Sequence, residues 1–244
     1  MVKSLASARD RNPGVFRGWT VQTVLSQPFS ARPTALHHNG APRGPGLFLS
    51  PSHPVLVIAS GNPHKVAEIT AMLDEVGLEV RQQPKELEIE ETGHTYAENA
   101  RLKASTVAAL TGCWSLGDDS GLEVDALDGR PGLYSARYAP TDHEKIHRLL
   151  QELGDSLYRG GTFVSAMALA DPSGAVVLES EGLCRGLILR QPAGHGGGYD
   201  PLFHVREAGC SYAEMGEHLK SRLGSRGKAA RAMAPGLKRL LGLG

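Results

Sequence analysis

The sequence lacks the features that mark a disulfide-rich, membrane-spanning or nucleic-acid-binding protein. It has only three cysteines, Cys113, Cys184 and Cys210, and this sparse, odd set argues against a disulfide framework and for a reducing compartment. No apolar run approaches the roughly 18 residues of a membrane-spanning helix. The formal net charge is zero, so no overall basic field indicates nucleic acid. We therefore expect a cytoplasmic protein without a membrane or nucleic-acid partner.

The first 52 residues differ in composition from the rest of the chain. They are rich in Pro, Gly, Ser and Arg, with six basic side chains and one acid. We expect a disordered or targeting extension over residues 1–52, followed by one folded domain over 53–244. Arg-rich, acid-poor N-termini are typical of organelle transit peptides, and a start codon placed too early is a further alternative. Residues 53–244 carry a net charge of −5, so binding a polyanion there requires local cations and a metal ion.

Apolar spacing and turn residues predict an α/β domain. We expect strands at 55–59, 78–81, 114–117, 122–124, 162–170 and 175–189, and helices at 63–76, 96–110, 142–153 and 226–241. Asn62 and Pro63 suit the start of the first helix, and Gly77 suits its end. Pro235 should break or kink the last helix. Early alternation of helices and strands, followed by a hairpin, indicates a mixed sheet.

A glycine turn between a strand and a helix forms the first candidate site. Ser60-Gly61-Asn62 presents unpaired backbone N–H groups, and Lys65 follows in the first helical turn. The helix dipole makes a lysine side chain destabilising at this end of the helix. A bound phosphate would make the same lysine favourable, because its ammonium group would then pair with an anion. The alternative is an ordinary solvated lysine after a helix cap, and this motif alone does not decide between the two.

Acidic residues and a lysine form the second candidate site. We expect Asp118-Asp119-Ser120-Gly121 to form a tight turn at a strand end, where α/β sheets place their sites. Together with Glu90 and Glu91 it concentrates carboxylates, which Mg²⁺ binds alongside substrate phosphates and water. The alternative is that an aspartate only caps the turn. Lys103, at the edge of an apolar helical stripe, either extends to water or points at a buried phosphate.

Two later segments complete the candidate set. Residues 194–198 contain four glycines, which permit close approach of the backbone to a ligand. Tyr199, Asp200 and Phe203 follow directly, which favours a recognition loop over a flexible hairpin. A basic cluster follows, with Lys220, Ser221, Ser225 and Arg226. Taken alone, this cluster is best interpreted as a solvated surface.

Taken in order, these segments resemble the inosine triphosphate pyrophosphatase family, which removes deaminated purine triphosphates such as ITP, dITP and XTP. The resemblance covers about residue 55 to the C-terminus. It rests on Ser60-Gly61-Asn62 with Lys65, Glu90-Glu91-Thr92-Gly93, Glu98-Asn99-Ala100 with Lys103, Asp118-Asp119-Ser120-Gly121-Leu122, Pro131-Gly132 with Ser135-Ala136-Arg137-Tyr138, and Gly198-Tyr199-Asp200-Pro201. Six motifs in the family's order are highly specific.

The resemblance implies a fold, an activity and roles for residues. It implies an elongated α/β domain with two lobes and a central cleft, usually a homodimer. The implied reaction is Mg²⁺-dependent hydrolysis of a purine nucleoside triphosphate to the monophosphate and pyrophosphate. It implies that Glu91 and Asp119 hold Mg²⁺, that Asp119 helps to activate water, and that Lys103 acts in catalysis. The implied substrate-binding residues are Ser60, Asn62, Lys65, Ser120, Gly198, Tyr199, Asp200, Lys220, Ser225 and Arg226.

Two departures from the family pattern affect base recognition. The family's glycine loop carries an aromatic residue that stacks on the base, whereas Gly197 here runs directly into Gly198, so we expect a loop one residue short without that ring. The family's Ser-His-Arg motif reads Gly224-Ser225-Arg226, which lacks the histidine. Both changes affect the contacts to the base, so we expect weaker base discrimination. They leave the phosphate-binding and metal-binding residues intact.

Two other functions stay open. One is a related nucleotide pyrophosphatase with another base preference, against which the motifs at 118–122 and 198–201 argue. The other is a nucleotide-binding regulator that has lost turnover. The missing base contacts would suit it, but the intact Glu91, Lys103 and Asp119 would not.

Overall fold

One mixed sheet forms the centre of the domain. The structure, a computed structural model, describes residues 54–243. Within this range the strands are β1 (Val55–Ala59), β2 (Glu79–Gln82), β3 (Trp114–Val124), β4 (Gly160–Ala170), β5 (Val176–Ile188), β6 (Phe203–Val205) and β7 (Cys210–Ser211). The α-helices are α1 (Pro63–Leu73), α2 (Tyr96–Thr111), α3 (Asp142–Leu153), α4 (Glu217–Leu223) and α5 (Ser225–Leu240). The strand order is β2-β1-β3-β4-β5-β6-β7, which confirms the predicted α/β fold with a mixed sheet.

The sheet changes direction at β3. β1 pairs in parallel with β2 and with the first part of β3, and this register ends where Ala59 lies opposite Gly117. β3 continues and pairs antiparallel with β4 as far as Val124. The acidic residues after Gly117 therefore begin where β1 ends, beside the turn that leads into α1.

The prediction of a tight turn at residues 118–121 is wrong, because β3 runs through these residues without interruption. Asp, Ser and Gly favour turns locally, but β4 pairs with β3 along this whole segment and holds it extended. Gly121 instead lets two neighbouring groups approach the strand backbone closely. A Cβ atom there would lie 2.4 Å from the Gly132 carbonyl oxygen and 2.7 Å from the Tyr96 hydroxyl.

The start of α1 forms as its sequence predicts. The Asn62 side-chain oxygen accepts hydrogen bonds from the backbone N–H groups of His64 and Lys65, and Pro63 occupies the first helical position. A short 3₁₀ turn follows, and Gly77 ends the segment with a φ of 74°. These local signals place Lys65 in the first turn of the helix.

The break predicted at Pro235 is wrong, since α5 continues to Leu240. A proline removes one backbone donor, which leaves the carbonyl of residue 231 without its helical partner. Arg231 is exposed, so water can bind that carbonyl, and the helix tolerates the loss. Gly236 then packs closely on Leu178 of β5.

Two glycines let helices rest directly on the sheet backbone. A Cβ atom on Gly117 of β3 would lie 2.1 Å from the Ala100 carbonyl oxygen of α2. A Cβ atom on Gly182 of β5 would lie 2.1 Å from the Ser225 carbonyl oxygen of α5. Neither glycine has a positive φ, so close packing is what requires the absence of a side chain.

The apolar core is divided into two large clusters. One surrounds β1, α1 and α5 and includes Leu56, Ile58, Ile69, Leu116 and Leu237. The other surrounds α3 and β6 and includes Leu149, Leu153, Ile188, Leu202 and Phe203. This division matches the two lobes that the family resemblance implied. The extension expected at residues 1–52 lies outside the described residues. None of the helices between residues 54 and 243 is long and apolar enough to cross a membrane.

Candidate active site

A cleft of about 710 Å³ collects candidate residues from distant parts of the sequence. This size is in the usual range for small-molecule sites. Nine of the expected substrate-binding residues line it, namely Asn62, Lys65, Ser120, Gly198, Tyr199, Asp200, Lys220, Ser225 and Arg226. Ser60 is not among its lining residues. The Ser60 hydroxyl instead accepts a hydrogen bond from the Asn62 backbone N–H at 3.2 Å.

Asp118 is buried and neutralised by two cations. Lys65 Nζ lies 3.1 Å from its Oδ2 atom, and the Arg226 guanidinium donates to both of its oxygens at 3.3 Å. Burial alone would raise the pKa of the Asp118 carboxyl, but the charges of Arg226 and Lys65 outweigh burial and hold that pKa well below its usual range. Asp118 therefore joins α1 to α5 through charge.

Arg226 binds a second carboxylate that sequence reasoning missed. Its guanidinium donates to Glu68 of α1 and, at 3.0 Å, to the Ser120 hydroxyl. Burial lowers the pKa of Arg226, but Asp118 and Glu68 more than compensate and raise it. Glu68 follows Lys65 by three residues on α1, so helical spacing was the available signal that both face one side.

Lys103 bridges two carboxylates. Its ammonium group donates to Glu91 Oε1 at 2.8 Å and to Asp119 Oδ1 at 3.3 Å. The sequence left open whether this lysine extends to water, and the structure shows it buried and paired. Burial would raise the pKa of Glu91, but the Lys103 hydrogen bond and the charges of Lys103, Lys65 and Arg137 lower it. Glu91 is thus held ionised.

Asn99 orients the same cluster from one turn before Lys103 on α2. Its Nδ2 donates to Asp119 Oδ2 at 3.0 Å, and its Oδ1 accepts from the Gly93 backbone N–H at 2.8 Å. One side chain thus ties the segment that carries Glu91 to the strand that carries Asp119. Asn99 belongs to a quoted motif, but no role was predicted for it.

The Glu91 and Asp119 carboxylates can supply part of a metal site. Among residues 54–243, no group of three or more His, Cys, Asp or Glu side chains is placed to hold a metal ion. Glu91 and Asp119 nevertheless share one cation, the Lys103 ammonium. Mg²⁺ takes one or two carboxylates together with substrate phosphates and water, so this donor set fits that ion when a substrate supplies the remaining ligands.

The glycine-rich loop is anchored at two points. The Gly198 backbone N–H donates to Asp142 Oδ2 at 2.7 Å, and the buried Tyr199 hydroxyl donates to the Ser135 carbonyl at 3.2 Å. Gly197, directly before these anchors, has no positive φ, and a Cβ atom there would meet only Asp142 Oδ2, at an ordinary 3.5 Å. The loop therefore accommodates a Cβ atom at position 197 without an extra residue.

Asp200 and Lys220 face each other across the cleft lining. Their charged atoms lie 3.6 Å apart, and Lys220 Nζ also lies 5.4 Å from the centre of the Tyr212 ring. Burial raises the pKa of Asp200 to about 6, although the charge of Lys220 opposes the rise. Ser225 is buried nearby, with its hydroxyl 2.8 Å from that of Ser165.

Comparison with known proteins identifies relatives along nearly the whole described domain. Residues 56–236 match the family model described as Ham1 family. A dITP/XTP pyrophosphatase of Nostoc sp. is 50% identical over 188 residues, which are 77% of this chain and 96% of that protein. A dITP/XTP pyrophosphatase of Gloeobacter violaceus is 49% identical over 185 residues, which are 75% of this chain and 94% of the relative.

Solved structures agree with the sequence comparison. A HAM1 protein from Coxiella burnetii superposes with a TM-score of 0.70 at 36% identity, covering 76% of this chain and 99% of that one. A nucleoside-triphosphatase described as a dITP/XTP pyrophosphatase from Mycobacterium abscessus has a TM-score of 0.59 at 38% identity, covering 75% of this chain and 99% of that one. The cleft and the charged clusters described above thus belong to a fold that these proteins share.

Proposed function

Because this chain belongs to the Ham1 family, we propose that its cleft hydrolyses deaminated purine nucleoside triphosphates, including ITP, dITP and XTP, to the monophosphate and pyrophosphate. The family resemblance drawn from the motifs is confirmed. Relatives named dITP/XTP pyrophosphatase are about half identical to this chain and are covered almost completely. The chain is a nucleoside triphosphate pyrophosphatase, a hydrolase of the phosphoric anhydride bond that keeps deaminated nucleotides out of the nucleotide pool.

One observation carries the catalytic part of the proposal: two carboxylates on separate segments share the Lys103 ammonium. Glu91 and Asp119 would hold Mg²⁺, and Lys103 would contact the triphosphate as well as these carboxylates. Bound Mg²⁺ neutralises charge on phosphate oxygens and lowers the pKa of water. Neutralisation and positioning are the main requirements of phosphoryl transfer, so this arrangement suits it.

The chain's own residues would divide the remaining work. Lys65, Lys220 and the α1 N-terminus with Asn62 would bind the triphosphate, because they offer positive charge and backbone donors. Asp119, oriented by Asn99, would accept a proton from the attacking water. Attack at the α-phosphorus breaks the bond to the bridging oxygen and releases pyrophosphate intact. Ser120, Gly198, Tyr199, Asp200, Ser225 and Arg226 would shape the rest of the nucleotide site.

The proposal extends to assembly, which the family resemblance implies, and to localisation and domain boundaries, which rest on composition. We propose a cytoplasmic homodimer in which residues 53–244 form the catalytic domain and residues 1–52 an extension. Light scattering after size-exclusion chromatography measures the assembly, and a monomeric mass for the active protein would overturn the dimer.

The test of the proposed function is product analysis with a panel of triphosphates and Mg²⁺. We expect ITP and XTP to give the monophosphate and pyrophosphate, with Glu91→Gln as the inactive control. Orthophosphate as the first product would contradict the proposal. Faster hydrolysis of a pyrimidine triphosphate would favour a related pyrophosphatase of other specificity, and tight binding without turnover would favour a regulator.

A further inference from the structure

Asp142 and Lys145, in the first turn of α3, form a pair of opposite charges in the lining of the cleft. Lys145 Nζ donates to Asp142 Oδ1 at 3.0 Å, and both residues line the cleft. An ammonium group has three donors. Within residues 54–243, Asp142 is the sole hydrogen-bond acceptor of this ammonium, which leaves two donors for a ligand.

Lys145 is in an unusual place for a lysine that serves only solubility. The helix dipole disfavours a cation in the first turn, and its side chain is only 14% exposed. A solvated lysine at a helix start normally extends into water instead. Asp142 offsets part of the free-energy cost of this position, and a ligand with a hydrogen-bond acceptor would offset more of it.

Asp142 fixes the glycine loop while it pairs with Lys145. Its Oδ2 accepts from the Gly198 backbone N–H, and its Oδ1 accepts from Lys145. The Gly198 hydrogen bond and the Lys145 ammonium lower the pKa of Asp142, so this carboxylate is an acceptor without a proton of its own. A carboxylate oxygen has capacity for more than one hydrogen bond, so Asp142 retains capacity for another donor.

The pair is linked to β3 through the glycine loop and Ser135, and neither Glu91 nor Asp119 is among the residues that line the cleft around it. Leu122 of β3 is three residues beyond Asp119, a distance of about 10 Å along a strand. Its backbone N–H donates to Ser135, whose carbonyl accepts from the Tyr199 hydroxyl, next to Gly198 and its partner Asp142. Leu122, Ala136 and Phe163 also line the cleft and give it apolar walls suited to a flat ring.

We propose that Lys145 and Asp142 together determine base specificity by reading the 6-keto edge of the purine. A 6-keto purine presents an acceptor at O6 beside a donor at N1–H, which matches an ammonium donor beside a carboxylate acceptor. Adenine presents the reverse order, an amino donor at position 6 and an acceptor at N1. The inference rests on the proposed function, and it supplies the donor that the missing histidine before Arg226 no longer provides.

The experiment compares kcat/KM for ITP and ATP in the full-length protein and in Lys145→Met. Loss of a charged hydrogen bond should lower kcat/KM for ITP about 10-fold, mainly through KM, with a much smaller change for ATP. Lys145→Arg keeps a charged donor and should restore most of the ratio. Lys238→Met, on α5 and not among the cleft-lining residues, is the matched control and should change neither substrate.

Asp142→Asn gives a second, independent measurement. The amide oxygen can still accept from the Gly198 N–H, while the amide nitrogen becomes a donor that suits adenine N1. The ITP to ATP ratio should therefore fall through a gain for ATP. This variant also tests the proposed role of the pair in base specificity if Lys145→Met fails to fold.

Three outcomes separate the possible errors. An equal loss for ITP and ATP in Lys145→Met would show that Lys145 binds phosphate and would overturn the inference. An unchanged ratio in both Lys145→Met and Asp142→Asn would also overturn it, while the proposed function stands. No pyrophosphate from ITP in the unaltered protein would instead overturn the proposed function itself.

Discussion

The Arg226 guanidinium on α5 donates hydrogen bonds to both oxygens of the Asp118 carboxylate on β3, although 108 residues separate them in the chain. Removal of one partner from a buried ion pair leaves the other charge unpaired, which typically costs about 3–5 kcal/mol. Glu68 keeps part of the Arg226 charge compensated, so we expect Asp118→Ala to lower the free energy of unfolding by about 3 kcal/mol in urea titrations. Glu179→Gln, which breaks the exposed pair with Arg101, should cost about 0.5 kcal/mol or less.

The acid side of the stability profile should report the same carboxylate. The pKa of Asp118 is lower in the folded protein than its ordinary value of 3.8, so its charge stabilises the fold above that value. This contribution is lost as the pH falls below 3.8. The stability difference between the unaltered protein and Asp118→Asn should therefore shrink on acidification in that window, and a constant difference would contradict the assignment.

Replacement of either proposed metal ligand should abolish turnover without unfolding the protein. Glu91→Gln and Asp119→Asn each remove a charge from the cluster around Lys103. We expect kcat/KM for ITP to fall at least about 100-fold, as for other groups that stabilise charge in a transition state. Circular dichroism and pyrophosphate release measure the two effects. Near-normal activity in either variant would show that the metal site is placed wrongly.

Asp200 should make the protein less stable as the pH rises from about 4 to 6. Its pKa of about 6 exceeds the ordinary 3.8, so between these values the folded state holds a proton that the unfolded state has lost. The cost is absent below 3.8 and complete above 6. Asp200→Asn removes it and should gain up to about 3 kcal/mol near pH 7.5 relative to pH 4. Asp155→Asn, which removes a carboxylate at a fully exposed site, is the matched control.

Gly197→Phe should tighten binding of every purine triphosphate by a similar factor. A stacked aromatic ring is worth about 1–3 kcal/mol per base and ignores the edge of the base. The measurement is KM for ITP and ATP, with Gly197→Ala as the control for backbone effects. Gly198→Ala should instead be harmful, because that residue has a φ of 58°. A fall in KM for ITP alone would mean that the ring does more than stack.

Removal of residues 1–52 should leave catalysis unchanged. All of the proposed site residues and the segment that matches the family lie after them. A protein that starts at His53 should reach the same kcat/KM for ITP, measured beside the full-length chain. Loss of solubility or activity would show that the extension contributes to the folded domain.

Local signals in the sequence were sufficient for the elements but not for the pairing of charges. The Asn62-Pro63 cap and Gly77 act within a few residues of the helix ends that they form, so their structural consequences could be predicted. The segment at 118–121 has turn-favouring residues, and only its pairing with β4, more than 40 residues later, makes it a strand. Periodicity carries no information about such long-range contacts.

The same distinction applies to the candidate site. The residue types at 91, 103 and 119 indicate a cation and phosphate site, and the structure brings all three together. The partners Glu68, Asn99 and Asp142 could not be assigned in advance, because their roles depend on which elements face the cleft. Lys65 and Arg226 were expected to contact substrate, and their shared attachment to Asp118 emerges only from the folded chain.

Gly117 and Gly182 act as spacers: because they lack side chains, they set the distance between the sheet and the helices α2 and α5. The α2 helix, which carries Asn99 and Lys103, rests on Gly117 through a backbone carbonyl, and α5 rests on Gly182 beside Arg226. A methyl group at either position would push an entire helix away from the sheet and lengthen several hydrogen bonds of the site at once. Redesign for a new base therefore has freedom at positions 145 and 197. A change at either spacer would instead slow the reaction without contacting the substrate.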